Sequence, residues 1–332
     1  MINAGFILIL NIYLRKKGYA DENIAQFNSF RFLGVLFFAF PLGIFIKGKA
    51  LKPFFLASSL LVPLFSLFLL LSIQGGNETR ITLGFILWGV SFMILNVCGL
   101  PYIMRSAPEE VVSEAISLNF STWSLATIVS GALINILSRV NEIVIGSVII
   151  PLDEFHIMLV IISISSLSFI LVLFIKEAKP RSISSSFFNN LRALRSEYDW
   201  KIIGRVLVPN MLIAIGAGLT IPFVNLFFNT VFKVDSDTFS LIGAGTASIV
   251  FMTTLIIPII RRKFGFRVAI LIPQWLAIFF LVILATTQLA QAYSWAFYVA
   301  IAAFMLRQPF MNMAGPMTSE LGMKYVGPRN QR

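Results

Sequence analysis

Ten times along its 332 residues this chain gathers an apolar run long enough, or nearly long enough, to cross a lipid bilayer. A spanning helix needs about 20 mostly apolar residues to cross roughly 30 Å of hydrocarbon. The runs extend from Ile2 to Leu14, Ile24 to Ile46, Pro53 to Ile73, Ile81 to Met104, Ala115 to Leu137, Phe155 to Ile175, Val206 to Phe232, Phe239 to Ile260, Val268 to Leu289 and Tyr293 to Ala314. The hydrocarbon offers no water to satisfy backbone N–H and C=O groups, so runs of this kind form helices that bond internally. The expected fold is therefore an all-α polytopic membrane protein of about ten transmembrane helices. A 58% hydrophobic share and a mean hydropathy of +0.87 agree with it.

The net charge of +11 raises nucleic acid as a partner, but the distribution of charge gives a simpler account. With the N-terminus inside, the loops after the even-numbered spans hold 18 Lys or Arg and the outer loops hold six. Arg31 and Arg307 fall within spans and complete the total of 26. This bias is the positive-inside rule, and it predicts a cytoplasmic N-terminus in a bacterial-type inner membrane, with no nucleic-acid partner. Cys98 and His156 are the sole residues of their types, which leaves no disulfide and no thiolate or histidine metal cluster. There is no His-Glu-x-x-His and no phosphate-cradling loop, so the sequence predicts neither an enzyme nor a cofactor. All 15 acidic residues fall in loops or at helix ends, and carboxylate-based proton coupling is therefore not expected.

The first run ends in Arg15-Lys16-Lys17, with its charges on the wrong side for a signal peptide, and reads as a retained span. A basic stretch, Lys176 to Arg205, divides six spans from four, and its Phe187, Phe188, Leu191 and Leu194 have the spacing of an amphipathic surface helix. The expected organisation is a bundle over 1–175, a linker over 176–205 and a second bundle over 206–332. A repeat links the bundles. Asn11 and Asp21 lie 214 residues before Asn225 and Asp235; the basic loop at Lys47 lies 215 before that at Arg262, and Pro101 lies 215 before Pro316. A six-plus-six plan requires two more spans after Arg332 and a longer first helix, so the expectation is a chain shortened at both ends. A natural ten-span protein with a short or tilted first helix is the alternative.

Residues 216–228 (GAGLTIPFVNLFF) and 307–316 (RQPFMNMAGP), with the repeat and the central basic linker, resemble the major facilitator superfamily. That resemblance implies two six-helix bundles that alternate access to a central cavity lined by helices one, four, seven and ten. It also implies a gating loop after the second span, recurring after the eighth, built on a glycine, an aspartate four residues later, and basic residues. Here Gly43 is followed by Lys47 and Lys49, and the second copy reads Arg262, Lys263, Gly265 and Arg267, so both copies lack the aspartate. Glu109, Glu110, Glu114 and Glu320 are the acids placed to replace it. The antiporter pattern of span five is reduced to Gly131 between Trp123 and Asn135, which argues against drug efflux.

A charge at a span's centre costs about 2.5–3.5 kcal/mol on insertion scales, which marks Arg31 and Arg307. Arg31, roughly 12 Å from the outer face, has a snorkelling or carbonyl-bonded role as its simpler explanation. Arg307 stands beside Gln308, Pro309 and Asn312, in a segment whose proline loosens the backbone. With Asn11, Asn96, Asn119, Trp123, Asn225 and Asn229, these residues are the candidate substrate site; ordinary interhelical hydrogen bonding is the competing account. The expected activity is secondary active or facilitative transport of a small solute by a monomer. Two embedded arginines add an organic anion as one reading of the substrate. A lipid or polymer flippase and an inactive transporter fragment are the alternatives.

Overall fold

The computed structural model describes residues 1–108, 111–140, 142–145, 148–177 and 199–326. Its helices are α1 (Ile2–Lys16), α2 (Asp21–Ile46), α3 (Lys52–Gln74), α4 (Glu78–Ser106), α5 (Val112–Val140), α6 (Glu154–Ser166), α7 (Ser168–Leu173), α8 (Trp200–Thr220), α9 (Val224–Phe232), α10 (Ser236–Thr286) and α11 (Ser294–Val326). Among the described residues, seven helical segments are long and apolar enough to cross a membrane, and this is a multi-pass membrane protein. One segment joins α6 to α7, and another joins α8 to α9 across a 3₁₀ turn at Ile221–Phe223. Pro222 explains that turn, since proline lacks the N–H that would continue the α-helical ladder.

The 51 residues of α10 would measure about 76 Å as a straight helix, over twice the hydrocarbon thickness. The chain reverses at Gly265, where φ is 75° and ψ is 172°. A residue with a Cβ is strained in that region, and glycine is not. The reversal brings Ile257 and Ala269 into one buried cluster with Met317. The loop expected over 261–267 is thus a single sharp bend. Counting both arms of α10 together with α1 and α11, ten helical passes are described, as the apolar runs predict.

The central element is α1. Twelve of its 15 residues are buried, against six of the 26 in α2, whose Leu36, Phe37, Phe38 and Phe40 face outward as lipid-facing side chains do. Because lipid tails are as apolar as leucine, helices in a bilayer associate through close packing and not through hydrophobic expulsion. The seam between α5 and α10 is built that way. Ser113, Ser117, Ser121, Ser124 and Gly131 form a small-residue face on α5. A Cβ at Gly131 would lie 2.6 Å from the Ser240 carbonyl oxygen and 2.9 Å from the Ala244 Cβ.

Two local features add to the expected spans. Strands β1 (Glu142–Ile145) and β2 (Val148–Pro151) pair antiparallel between α5 and α6, Glu142 opposite Pro151 and Ile145 opposite Val148. Two β-branched runs separated by two residues carry that hairpin in the sequence, but their apolar content reads as loop between spans. In addition, α8 begins at Trp200, capped by Asp199, whose carboxylate accepts from the Lys201 and Ile202 amides at 3.0 and 3.2 Å. The amphipathic helix expected at 187–194 lies outside the described residues. At the start of the linker, Glu177 accepts the Leu51 and Lys52 amides at 2.7 and 2.8 Å and so caps α3 from a distance.

Candidate functional site

Residues 214 apart in sequence meet where α1 packs on α9. The Asn11 amide donates to Asn225 Oδ1 at 3.4 Å, Asn28 Nδ2 donates to Asn11 Oδ1 at 3.2 Å, and Asn225 Nδ2 donates to the Ile7 carbonyl at 3.2 Å. One turn further along, Arg15 Nη1 donates to Asn229 Oδ1 at 3.0 Å and to Thr230 Oγ1 at 2.7 Å, while its Nη2 bonds Asp21 at 2.6 Å. Equivalent positions facing one another are what an approximate two-fold axis between α1 and α9 produces, as in an isologous interface. Buried Asn11 and Asn225 have their amides satisfied within this chain, so little of their bonding capacity is left over for a solute.

Beside this pair lies a cavity of about 260 Å³ walled by α1, α5, the 3₁₀ turn, α9, α10 and α11. Its polar groups are Trp123, Ser124 and Thr127 of α5, Asn225 of α9, Thr246 of α10, and Gln308 and Asn312 of α11. Ile7, Leu8, Ile221, Val224, Phe239, Val250 and Phe304 supply much of the apolar wall. Among the described residues, no charged side chain lines it. Phe228 packs behind Phe239 and Phe304 of the cavity wall, with ring centroids 5.7 Å away in each case. The arrangement can hold a small neutral solute through amides, hydroxyls and an indole.

The end of the α5–α10 seam nearer the linker is charged. Arg261 Nη1 donates to Ser113 Oγ at 2.6 Å, Ser113 Oγ donates to Glu320 Oε2 at 2.9 Å, and Arg261 Nη2 stands 3.1 Å from Glu320 Oε1. Arg261 also lies 4.8 Å over the Phe266 ring. Arg262 pairs with Glu114 nearer the surface. Three elements, α5, α10 and α11, are thereby tied by four side chains and a serine.

Solved structures supply a match for this architecture. The chain is similar to a D-xylose–proton symporter with a TM-score of 0.66 at 13% identity, over 99% of this chain and 83% of that one. It is similar to the partially occluded inward-open xylose transporter XylE of E. coli at a TM-score of 0.69 and 15% identity, over 99% and 81%. The Major Facilitator Superfamily transporter FucP in its outward conformation matches at 0.57 and 15%, over 99% and 84%. The chain has the major facilitator fold. No family model and no curated protein matches its sequence.

Within the facilitator fold the expected site residues divide. Trp123, Asn225, Gln308 and Asn312 come together on the cavity wall. Asn11 and Asn229 lie in the α1–α9 pairing beside it. Asn96 is exposed on α4 and donates to its own turn at Phe92, and half-buried Asn119 stays off the wall. Arg31 belongs to the first bundle: its guanidinium lies 3.9 Å over the Trp88 ring and its Nη2 donates to Asn3 at 2.6 Å. Arg307 is 3% exposed, donates to Thr220, and is not among the residues lining the cavity, which its neighbour Gln308 does line. An arginine-lined anion cavity therefore finds no footing in the geometry.

Of the residues expected to gate, Arg262 pairs with Glu114, Gly265 forms the bend, and Glu320 is engaged by Arg261. Gly43 is exposed, Lys49 lies over the Phe45 ring while its carbonyl accepts from Arg105 at 2.9 Å, and Lys263 and Arg267 are exposed. Lys47 is half-buried, and Glu109 and Glu110 lie outside the described residues. The expectation that no carboxylate is buried is corrected by Glu320, which is 4% exposed although it stands near the end of α11. Packing of α11 against α5 and α10 encloses it, and the sequence position of an acid does not reveal such packing. Sequence reasoning also missed Arg15, Asn28, Ser113 and Arg261. The 214-residue offset could have found Arg15, which stands at that interval from Asn229.

Proposed function

We propose that this chain is a secondary transporter that carries a small, neutral, polar solute across a bacterial-type inner membrane by alternating access. The cavity carries the reading: it sits where α1 and α5 meet α9, α10 and α11, and its polar groups are amides, hydroxyls and an indole without a charge. A volume of about 260 Å³ favours a solute of monosaccharide size over a lipid or polymer headgroup with its tails. The solved neighbours are described as xylose and fucose symporters, which supports the same class. The bias of 18 basic residues to six supports a cytoplasmic linker and N-terminus.

In this scheme the two bundles, 1–175 and 206–332, rock about the α1–α9 pairing. Arg261, Arg262, Glu114 and Glu320 close the cytoplasmic side in place of the missing loop aspartates, and Gly265 lets the α10 bend follow. Trp123 offers a ring face to the apolar side of the solute, and Gln308 and Asn312 bond its hydroxyls.

Uptake of radiolabelled pentoses, deoxyhexoses and organic anions into proteoliposomes tests the proposal. Saturable uptake of a neutral solute, reduced at least tenfold by Trp123→Ala or Gln308→Ala, is expected. Saturable flux of an anion with no neutral solute competing overturns it.

A further inference from the structure

Arg307 has a feature that the transport of a neutral solute does not use. Its side chain is buried, its Nη2 donates to Thr220 Oγ1 at 3.3 Å, and its Nη1 has no hydrogen-bond partner. Thr220 gives its own hydroxyl proton to the Gly216 carbonyl at 3.1 Å, so it serves the guanidinium only as an acceptor. Among the described residues no carboxylate pairs with Arg307, and the nearest acid along its own helix, Glu320, is 13 residues away, about 20 Å at 1.5 Å per residue. Arginine cannot relieve this by losing its proton, because a guanidinium stays charged at every physiological pH.

Arg31 shows how the fold treats a cation that it keeps. That guanidinium has the Trp88 face at 3.9 Å and the Asn3 oxygen at 2.6 Å. Among the described residues, Arg307 has neither a ring nor a second oxygen. What it has beside it is the break at Thr220, where α8 stops, a 3₁₀ turn intervenes and α9 starts at Val224 with no side-chain cap from Phe223.

We propose that Arg307 and the helix break at Thr220 form a binding site for a small monovalent anion, separate from the solute cavity and adjoining it. The guanidinium supplies the unused Nη1–H donors and a fixed positive charge. Ile221 and Gln308, the sequence neighbours of Thr220 and Arg307, both face the cavity, so occupancy of the anion site is felt at the solute site. The ligand class is shared by a free halide and by the carboxylate of a small organic acid.

Titrating chloride or acetate into the purified full chain, with ionic strength held constant by sulfate, which is neither a halide nor a carboxylate, separates these sources. The readout is the thermal midpoint followed by tryptophan fluorescence. A saturable rise with chloride alone assigns a halide site, and a rise with acetate assigns a carboxylate site; either supports the proposal. Arg307→Gln is expected to abolish the rise, and Arg307→Lys, which keeps the charge and loses the fork, to weaken the apparent affinity about tenfold. A wild-type midpoint that neither anion moves overturns the proposal, and so does a full rise retained in Arg307→Gln. Should Arg307→Gln fail to fold, the wild-type titration and Arg307→Lys decide the question. Because no transported solute enters the measurement, its failure leaves the transport proposal standing.

Discussion

Two contacts between the N-terminal helices and the later ones are chemically unlike. At α1 and α9 the contact is made by neutral amides, Asn11 to Asn225, with repeat-related residues facing each other. At the linker end of α5 and α10 it is made by charges, with Arg261, Glu320 and Ser113 enclosed and Arg262 with Glu114 outside them. A neutral pair is weak and tolerant of small shifts in angle, which suits a pivot. A buried ion pair is costly to break by halves and suits a contact that is either made or unmade. The difference teaches that contacts between the same two halves of the chain can differ in charge and burial, and under the proposed transport cycle the amide pair would serve as fulcrum and the ion pairs as latch.

The largest expected effect comes from forcing the seam apart along its whole length. Gly131→Leu places a side chain where even a Cβ would approach the Ser240 carbonyl to 2.6 Å. About 3 kcal/mol or more should be lost, the upper end for overpacking. A monodisperse protein with an unchanged thermal midpoint would mean that α5 and α10 are not in this register.

Next in size is the enclosed pair. Glu320→Ala strands Arg261 beside Ser113 and should cost about 3 kcal/mol, whereas Glu320→Ala with Arg261→Met should recover most of that loss. Equal costs for the single and the double variant would sever the pair from the latch. If the latch acts in transport, the single variant also increases labelling of a cysteine introduced on the cavity wall in a Cys98→Ser background.

The pivot should yield less. Asn11→Leu and Asn225→Leu are each expected to cost about 1 kcal/mol, with a coupling between them near 0.6 kcal/mol in a double-mutant cycle. A coupling as large as that of the charged end would erase the contrast drawn here. Smallest of all, Glu114→Gln should change stability by less than about 1 kcal/mol, because its partner Arg262 is well exposed. That small effect should shrink further at high salt, and the Glu320 effect should not.

Much of this architecture was legible before any coordinates. The apolar runs located the helical passes, and the 214-residue offset named Asn11 and Asn225, which bond each other. Arg262, Glu114 and Glu320 were among the charged residues singled out beforehand; Arg262 pairs with Glu114, while Glu320 is reached by Arg261, which was not singled out. The hairpin at 142–151 was hidden because β-branched apolar residues look alike in a strand and in the flank of a span. The burial of Glu320 was hidden because a helix end is solvated only when no neighbouring helix covers it.

Residence in the membrane, the number of crossings and the basic bias of the loops belong to the sequence itself, because insertion sums local hydropathy and charge along the chain. Which polar residue faces the cavity belongs to the tertiary structure. Successive residues on a helix point about 100° apart, so rotation of α11 about its axis decides the matter. It turns Gln308 toward the solute space and Arg307 toward Thr220, although nothing separates them in sequence. That rotation is set by the packing of α11 against α5, α8 and α10, and only the assembled bundle supplies it.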